Sequence, residues 1–297
     1  MIPVSASRDE LMNRVLPQMT LSERFNPLTR PLSPPPPDLT PVERAVRRFA
    51  VQGNAIVTGG CGNLGLVAAR ALLEHGASGV SLFDVDLDSS KKEVQNLIFS
   101  FPSAKVITKS VDVRSEQRVQ KAVEQSTAEL GSVDILLCFA GVVSCTHALK
   151  VSLDEWKRTL DINTTGSWIC AQAVAREMVK QQTGGSIVFT ASISAHSVNF
   201  PQPQVSYNVS KGALLQLKNS LAAEWSRYGI RVNSISPGYM DTILNEGAGL
   251  EEARDIWASR NPMGRMGDPS ELTGAVVLLC SVAGRYINGA DIVIDGE

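Results

Sequence analysis

The chain has 297 residues, 43% of them hydrophobic and 20% charged, with a formal net charge of −2. That composition supports a globular protein with a substantial core, and the near-neutral balance excludes bulk attraction to nucleic acid or acidic membranes. The longest apolar runs, such as Ile135 to Phe139 and Ala275 to Cys280, fall far short of the ~20 residues a membrane-spanning helix needs.

Residues 1–48 differ from the rest. They are polar and Pro-rich and contain Pro34-Pro35-Pro36-Pro37, a run that favours an extended segment with no core of its own. No apolar stretch of a secretory signal is present. Arg8, Arg14, Arg24 and Arg30 fit a transit peptide, but Asp9, Glu10 and Glu23 oppose it. The reading is an arm that packs on the domain or on a neighbouring subunit, followed by one domain over 49–297.

From Gly53 onward strand and helix signals alternate. Ala55 to Thr58 reads as a strand, Leu64 to Glu74 as a helix, and Gly79 to Asp84 as a strand. A helix follows from about Ser89 to Phe99. Lys105 to Val113 is a strand and Ser115 to Leu130 a helix stopped by Gly131. Val133 to Phe139 is a strand. Ser152 and Glu155 have the spacing of a capping box opening a long helix to about Gln181. Ser186 to Thr190 is a strand, Ser206 to Tyr228 a helix, and Ile230 to Ser236 a strand. Asp268-Pro269-Ser270-Glu271 opens a further helix with Pro at its first position, and Ala290 to Asp295 is the last strand. Short apolar strands separated by helices predict a single-domain, Rossmann-type, doubly wound parallel sheet with helices on both faces.

Cys61, Cys138, Cys145, Cys170 and Cys280 contain no CxxC pair, and several lie in apolar runs. Buried free thiols in a reducing, cytoplasmic setting are favoured over disulfides. His75, His147 and His196 are too scattered for a metal site, and no metal is expected. His147 and His196 are loop residues that could touch a substrate or simply be solvated. Trp156, Trp168, Trp225 and Trp257 fall at helical positions and read as packing residues.

Gly60-Cys61-Gly62-Asn63-Leu64-Gly65 fits GxGxxG. Alone this could be a plain tight turn. Here it follows a strand, opens a helix, and is followed by Asp84 at the end of the next strand, where a ribose-binding carboxylate belongs. Glycines let the backbone approach a pyrophosphate, and the helix N-terminus offers unpaired N–H groups. The same stretch also reads Thr58-Gly59-x-x-x-Asn63-x-Gly65. Downstream, Tyr207 and Lys211 stand at i and i+4 on one helix face, after Ser192 and before Arg231-Val232-Asn233-Ser234-Ile235-Ser236-Pro237-Gly238. Asp161-Ile162-Asn163 lies within the long preceding helix.

These motifs together resemble the short-chain dehydrogenase/reductase family: its TGxxxGxG loop, with Asn63 replacing the middle glycine, its Asn–Ser–Tyr–Lys tetrad and its RVNxIxPG segment. The likeness spans Gly53 to the end of the chain. "TASISAHSVNFPQPQVSYNVSK" and "SISPGYMDT" look like the active-site segments of fungal polyol dehydrogenases of the arabinitol, mannitol and xylulose type. Asn63 tolerates a left-handed backbone better than other non-glycine residues. Cys138-Phe139-Ala140-Gly141 departs from the family's NNAG, so polar ties across the sheet must be replaced.

The resemblance implies an oxidoreductase that moves a hydride between a nicotinamide cofactor and a secondary alcohol or ketone. Tyr207 would be the acid–base group. Lys211 would favour the phenolate by its charge and hold the nicotinamide ribose. Ser192 would hold the substrate oxygen, and Asn163 would anchor a water leading to Lys211. Ser194 has the commoner spacing to Tyr207, but strand register favours Ser192. Thr58, Gly59, Asn63, Leu64, Gly65, Asp84, Asp112, Val113, Ala140, Gly141, Pro237, Gly238, Met240 and Thr242 would contact the cofactor. Asp112-Val113 would end the third strand and meet the adenine. NAD is favoured because Asp84, Asp86 and Asp88 repel a 2′-phosphate. NADP stays open if Asp84 turns away and Arg114 receives that phosphate. The favoured substrate is a polyol or ketose. A bulkier ketone, or a catalytically silent nucleotide-binding protein, are the rivals. Selectivity would reside in the loops after Gly141, after Ser192 and from Tyr239 to about Asn261. A homo-oligomer, specifically a homotetramer, is expected from Trp168, Ile169 and Ala173 on one long helix and Leu214, Leu217 and Leu221 on another.

Overall fold

The computed structural model describes residues 7–242 and 249–297. Seven parallel strands form one sheet in the order β3-β2-β1-β4-β5-β6-β7: β1 Asn54–Thr58, β2 Gly79–Asp84, β3 Lys105–Ser110, β4 Ile135–Cys138, β5 Gly185–Thr190, β6 Ile230–Pro237 and β7 Asp291–Ile294. The helices are α1 Arg8–Met12, α2 Pro41–Phe49, α3 Asn63–Glu74, α4 Lys91–Ser100, α5 Glu116–Leu130, α6 Leu153–Leu160, α7 Gly166–Gln181, α8 Val205–Trp225, α9 Glu251–Arg260 and α10 Thr273–Cys280.

The apolar strands follow from being covered on both faces. Successive side chains of a strand point to opposite sides. Ile56, Leu136, Ile187 and Phe189 enter one core with α5, α7 and α8. Ala55, Val57, Ile135, Leu137 and Val188 enter the other with α3, α4 and α10. With both faces buried, a strand cannot alternate apolar with polar residues, and it reads as a continuous apolar run. Chain direction around the sheet reverses between β1 and β4, where the carboxyl ends of the strands leave a crevice.

Local signals fix the boundaries. Ser115 caps α5 by accepting from the Arg118 N–H, and Gly131 ends it at φ +92, a conformation only glycine adopts at little cost. Ser152 caps α6 through the Glu155 N–H at 3.1 Å, but the Glu155 carboxylate accepts from Ser144 Oγ, so the expected capping box is only half made. Asp268 and Glu271 form theirs completely, with Pro269 behind the cap.

Two expectations need correction. The third strand ends at Ser110, so Asp112 and Val113 lie in the loop beyond it. Asp112 is drawn off by Arg114, which holds its carboxylate with both Nε and Nη2. The long helix from Ser152 to Gln181 is interrupted by a π-helical turn, Asp161–Thr165, which carries Asn163. Some of the apolar residues read as a subunit seam are used in the chain's own core, while Trp168, Ile169 and Leu217 stay partly exposed. Ala173, Leu214 and Leu221 are buried, and Trp168, Ile169 and Leu217 pack on the same core, Trp168 stacking on Trp225.

The arm is exposed over most of its length and holds few anchors. Asn26 Nδ2 donates to the Arg227 carbonyl at 2.7 Å, and Arg285 Nη2 reaches the Arg30 carbonyl. Helix α2, capped by Thr40 and Glu43, was not anticipated. Its amphipathic sequence lies beyond the proline run. Residues 1–6 of the arm, and 243–248 of the third expected selectivity loop, lie outside the described residues. Among the described residues no helix is long and apolar enough to cross a membrane.

Removing residues 1–38 deletes a few half-exposed hydrogen bonds, each contributing about 1 kcal/mol. The truncated protein should stay soluble and lose only a few degrees of Tm. Failure to recover folded protein would show that the arm is part of the core structure.

Candidate active site

The glycine-rich loop sits at the β1–β4 switch. Gly59 has φ +63, and a Cβ there would meet the Ala140 nitrogen at 2.7 Å. A Cβ on Gly65 would meet the Gly59 carbonyl oxygen at 2.2 Å. Both glycines are therefore required by the close packing of the loop on the end of β4 and on the start of α3. Helix α3 begins after Gly62 with no side chain capping it, which leaves its N-terminal dipole for an anion. Asn63 has no left-handed backbone. It is the first residue of α3, and the only described non-glycine residue with positive φ is Gln182. Its replacement of glycine thus needs no special tolerance. Leu64 faces the same cavity as the catalytic candidates.

Asp84 ends β2, and its Oδ2 accepts from the Cys61 N–H at 3.1 Å, tying the second strand to the loop. Thr58 Oγ1 accepts from the Ala140 N–H at 3.3 Å, and the Thr58 carbonyl from the Phe139 N–H at 3.0 Å. Backbone and Thr58 thus supply the ties across β1 and β4 that Cys138 and Phe139 cannot. Cys138 is fully enclosed, and burial pushes its thiol well up. These features fit a dinucleotide: a tightly packed glycine loop, an uncapped helix start, and a carboxylate at the end of β2.

A cavity of about 370 Å³ opens beside this loop. Gly141, Ser192, Tyr207, Lys211, Pro237, Gly238, Met240 and Thr242 all line it. Helix α8 carries Tyr207 and Lys211 one turn apart, so both side chains leave the same face. Ser192 follows the end of β5 and hydrogen-bonds the Tyr207 phenol. Ser194 is buried beside it and accepts from Ser192 Oγ at 3.1 Å. The serine facing Tyr207 is therefore Ser192, as strand register requires.

Lys211 is buried, and its ammonium donates to the Thr190 carbonyl at 2.6 Å. It stands 5.6 Å from the centre of the Tyr207 ring. Burial brings its pKa down to about 8, partly offset by the neighbouring Cys138. The phenol of Tyr207 does not show the expected depression. Burial pushes it up, opposed by the Ser192 hydrogen bond, and the nearby Tyr239 raises it further.

Asn163 is buried on the π turn. Its Oδ1 accepts from the Val142 N–H at 2.8 Å, and its Nδ2 donates to the Val142 carbonyl at 3.0 Å and to Ser210 Oγ at 2.9 Å. Both ends of the amide are spent on the loop after β4 and on α8. A Cβ on Gly141 would come within 3.3 Å of Asn163 Oδ1 and 3.8 Å of Lys211 Nζ, so this clamp fixes Gly141 beside the ammonium.

The histidines are elsewhere. His196 bonds Asp291 and Ser236, and His147 is exposed. Sequence reasoning placed one wall of the cavity in the loops after Ser192 and from Tyr239 onward but did not name its residues, Asn199, Gln202 and the Tyr239–Trp257 pair. Trp257 reads as a packing residue by its helical spacing. It stacks on Tyr239 with ring centroids 4.4 Å apart and borders the cavity.

Residues 61–296 match the family model described as enoyl-(acyl carrier protein) reductase. The NADP-dependent mannitol dehydrogenase of Hypocrea jecorina is 37% identical over 264 residues, covering 88% of this chain and 98% of that protein. The ribulose-forming D-arabinitol 2-dehydrogenase of Scheffersomyces stipitis is 35% identical over 266 residues, covering 84% and 95%. A short-chain type dehydrogenase/reductase of Mycobacterium marinum has a crystal structure with TM-score 0.80 at 38% identity, covering 84% of this chain and 97% of that one.

The buried ammonium carries a stability cost. The folded pKa of Lys211, about 8, lies below its ordinary value of 10.5. The cost is therefore full below about pH 8, on the order of 3 kcal/mol, and fades as pH rises toward the unfolded value. Lys211→Met removes it but leaves the Thr190 carbonyl unpaired, at about 1–3 kcal/mol. At neutral pH the variant should keep or raise Tm while turnover collapses. A Tm loss beyond roughly 5 °C would show that the ammonium stabilises the fold.

Proposed function

The chain belongs to the short-chain dehydrogenase/reductase family, and from that premise we propose that it interconverts a polyol and the corresponding ketose with NAD(H). The observation that carries the reading is the convergence of Ser192, Tyr207 and Lys211 on one cavity beside the glycine-rich loop. The likeness to mannitol and D-arabinitol dehydrogenases supports the substrate class.

In this reading Ser192 donates to the carbonyl oxygen and holds it near the phenol. Tyr207 gives its proton to that oxygen in reduction and takes it back in oxidation. A raised phenol suits the acid role, since the proton is retained at neutral pH. Lys211 holds the nicotinamide ribose and offsets the phenolate charge when the base is needed. Asn163 keeps Gly141 and the loop after β4 in place. The remaining cofactor contacts are Thr58, Gly59, Asn63, Leu64 and Gly65 at the pyrophosphate, Asp84 at the ribose, Asp112 and Val113 toward the adenine, Ala140 and Gly141 beyond β4, and Pro237, Gly238, Met240 and Thr242 at the amide. A nicotinamide held there would supply the hydride transfer, chemistry that belongs to the cofactor.

Asp84 supports NAD(H). A carboxylate there accepts from ribose hydroxyls and repels a 2′-phosphate, and Arg114, the cation the sequence offered for that phosphate, is engaged by Asp112. The NADP dependence named for the Hypocrea jecorina enzyme favours the other cofactor. Comparing kcat/KM for the two decides it. A preference of about tenfold or more for NADP(H), some 1.4 kcal/mol, would overturn the NAD reading, and Asp84→Ala should erode an NAD preference.

A cytoplasmic setting is supported by free cysteines, four of them buried. A homotetramer rests on kinship alone and is tested by light scattering.

A turnover screen over polyols, ketoses and bulky ketones tests the substrate class. Activity confined to bulky ketones would contradict it. Tyr207→Phe should lower kcat by about 10²- to 10⁴-fold while the protein still binds cofactor. More than about a tenth of the activity remaining would remove Tyr207 from the acid role.

A further inference from the structure

The cavity wall formed by Asn199, Gln202, Tyr239 and Trp257 has its own hydrogen-bond logic. Trp257 Nε1 donates to Gln202 Oε1 at 3.1 Å. An indole N–H can only donate, so this bond fixes which end of the Gln202 amide is oxygen. The other end, Nε2, must then donate, and it does so to Tyr239 Oη at 2.8 Å. Asn199 Nδ2 donates to the same oxygen at 3.0 Å. The phenol thus accepts twice, and neither amide nitrogen can receive its own proton. The stack on Trp257 holds the ring in that position.

The surplus continues one atom further. Asn199 Oδ1 is buried and has no hydrogen-bond partner. Turning the Asn199 amide over would pair Oδ1 with the phenol proton but strand Nδ2 instead. In either orientation the rack holds more hydrogen-bonding capacity than its members can use. Buried polar atoms are normally satisfied, so the excess marks something this wall is built to meet.

The phenol proton, with no acceptor in the rack, matches the oxygen of an alcohol hydroxyl, and the Asn199 amide oxygen beside it is buried and unpaired. Asn199, Gln202, Tyr239 and Trp257 all line the cavity that Ser192 and Tyr207 face.

We propose that Tyr239 and Asn199, braced by Gln202 and Trp257, form a hydroxyl-binding subsite that selects substrates carrying a further hydroxyl beyond the reacting carbon. The inference rests on the polyol reading and deepens it by naming the residues that recognise the class. A site built to bond a hydroxyl discriminates strongly against analogues that lack one, because its own polar groups are left unpaired.

The test compares wild type, Tyr239→Phe and Asn199→Ala in the oxidation direction, with D-mannitol, D-arabinitol and 2-hexanol as substrates. Tyr239→Phe keeps the ring and its stack and removes only the hydroxyl. Both variants should lower the ratio of polyol to 2-hexanol kcat/KM at least tenfold, with the rise in polyol KM exceeding the fall in kcat. An unchanged ratio, from equal losses on all substrates, would overturn the subsite and leave the polyol reading standing. A wild-type enzyme that oxidises 2-hexanol but neither polyol would overturn both. If 2-hexanol turns over too slowly to measure, the polyol parameters decide: a loss residing in kcat rather than KM assigns the rack a merely structural role.

Discussion

The site is organised around one buried cation. Lys211 sits where water cannot solvate its ammonium, and the described structure offers it the Thr190 carbonyl at the end of β5. That position costs stability, and the fold retains it on the cavity wall, 5.6 Å from the centre of the Tyr207 ring. Much of the surrounding architecture serves to keep this group in register. Helix α8 sets the one-turn spacing to Tyr207, β5 delivers Thr190 and Ser192, and the π turn brings Asn163 against Val142 so that Gly141 closes beside the ammonium. Function and local instability here have the same origin.

The sheet order explains why these pieces meet the glycine loop. Strands β1 and β4 are neighbours, yet the chain leaves them in opposite directions around the sheet. Their carboxyl ends therefore open into a shared crevice rather than being covered by one crossover. Gly59 and Gly65 deny side chains to that crevice, and Thr58 ties the two strand ends together through Phe139 and Ala140. A nucleotide spanning the crevice would bring its reactive end toward Ser192 and Tyr207.

Much of this was legible in the sequence, and the exceptions share a cause. Strand and helix order follows from local periodicity, and the Tyr207–Lys211 pair from helical spacing, because both are short-range properties. The end of the third strand was not legible. Val111 and Val113 return apolar residues after Lys109 and Ser110, and the Val111 N–H still bonds the Asp84 carbonyl, so the pattern reads on past the strand's end. Asp161 to Thr165 are weak helix formers, but that composition does not specify a π turn, and Asn163 there is held by contacts with Val142 and Ser210. Glu155 had the spacing of a capping residue but was claimed by Ser144, a tertiary partner. The Gln202–Tyr239–Trp257 rack joins three separated segments, and no window of sequence contains it. Where a residue's role depends on a neighbour distant in the chain, spacing alone could not reveal it.

The account depends most directly on the charge state of Lys211. Its pKa of about 8 means that the ammonium is present below that value and lost above it. The decisive measurement is the pH dependence of kcat/KM for carbonyl reduction from about pH 6 to about pH 10. A plateau at low pH that falls as pH rises through about 8 is the predicted result. A profile that stays level to the alkaline limit, or that climbs, would contradict the claim that the buried ammonium drives the site.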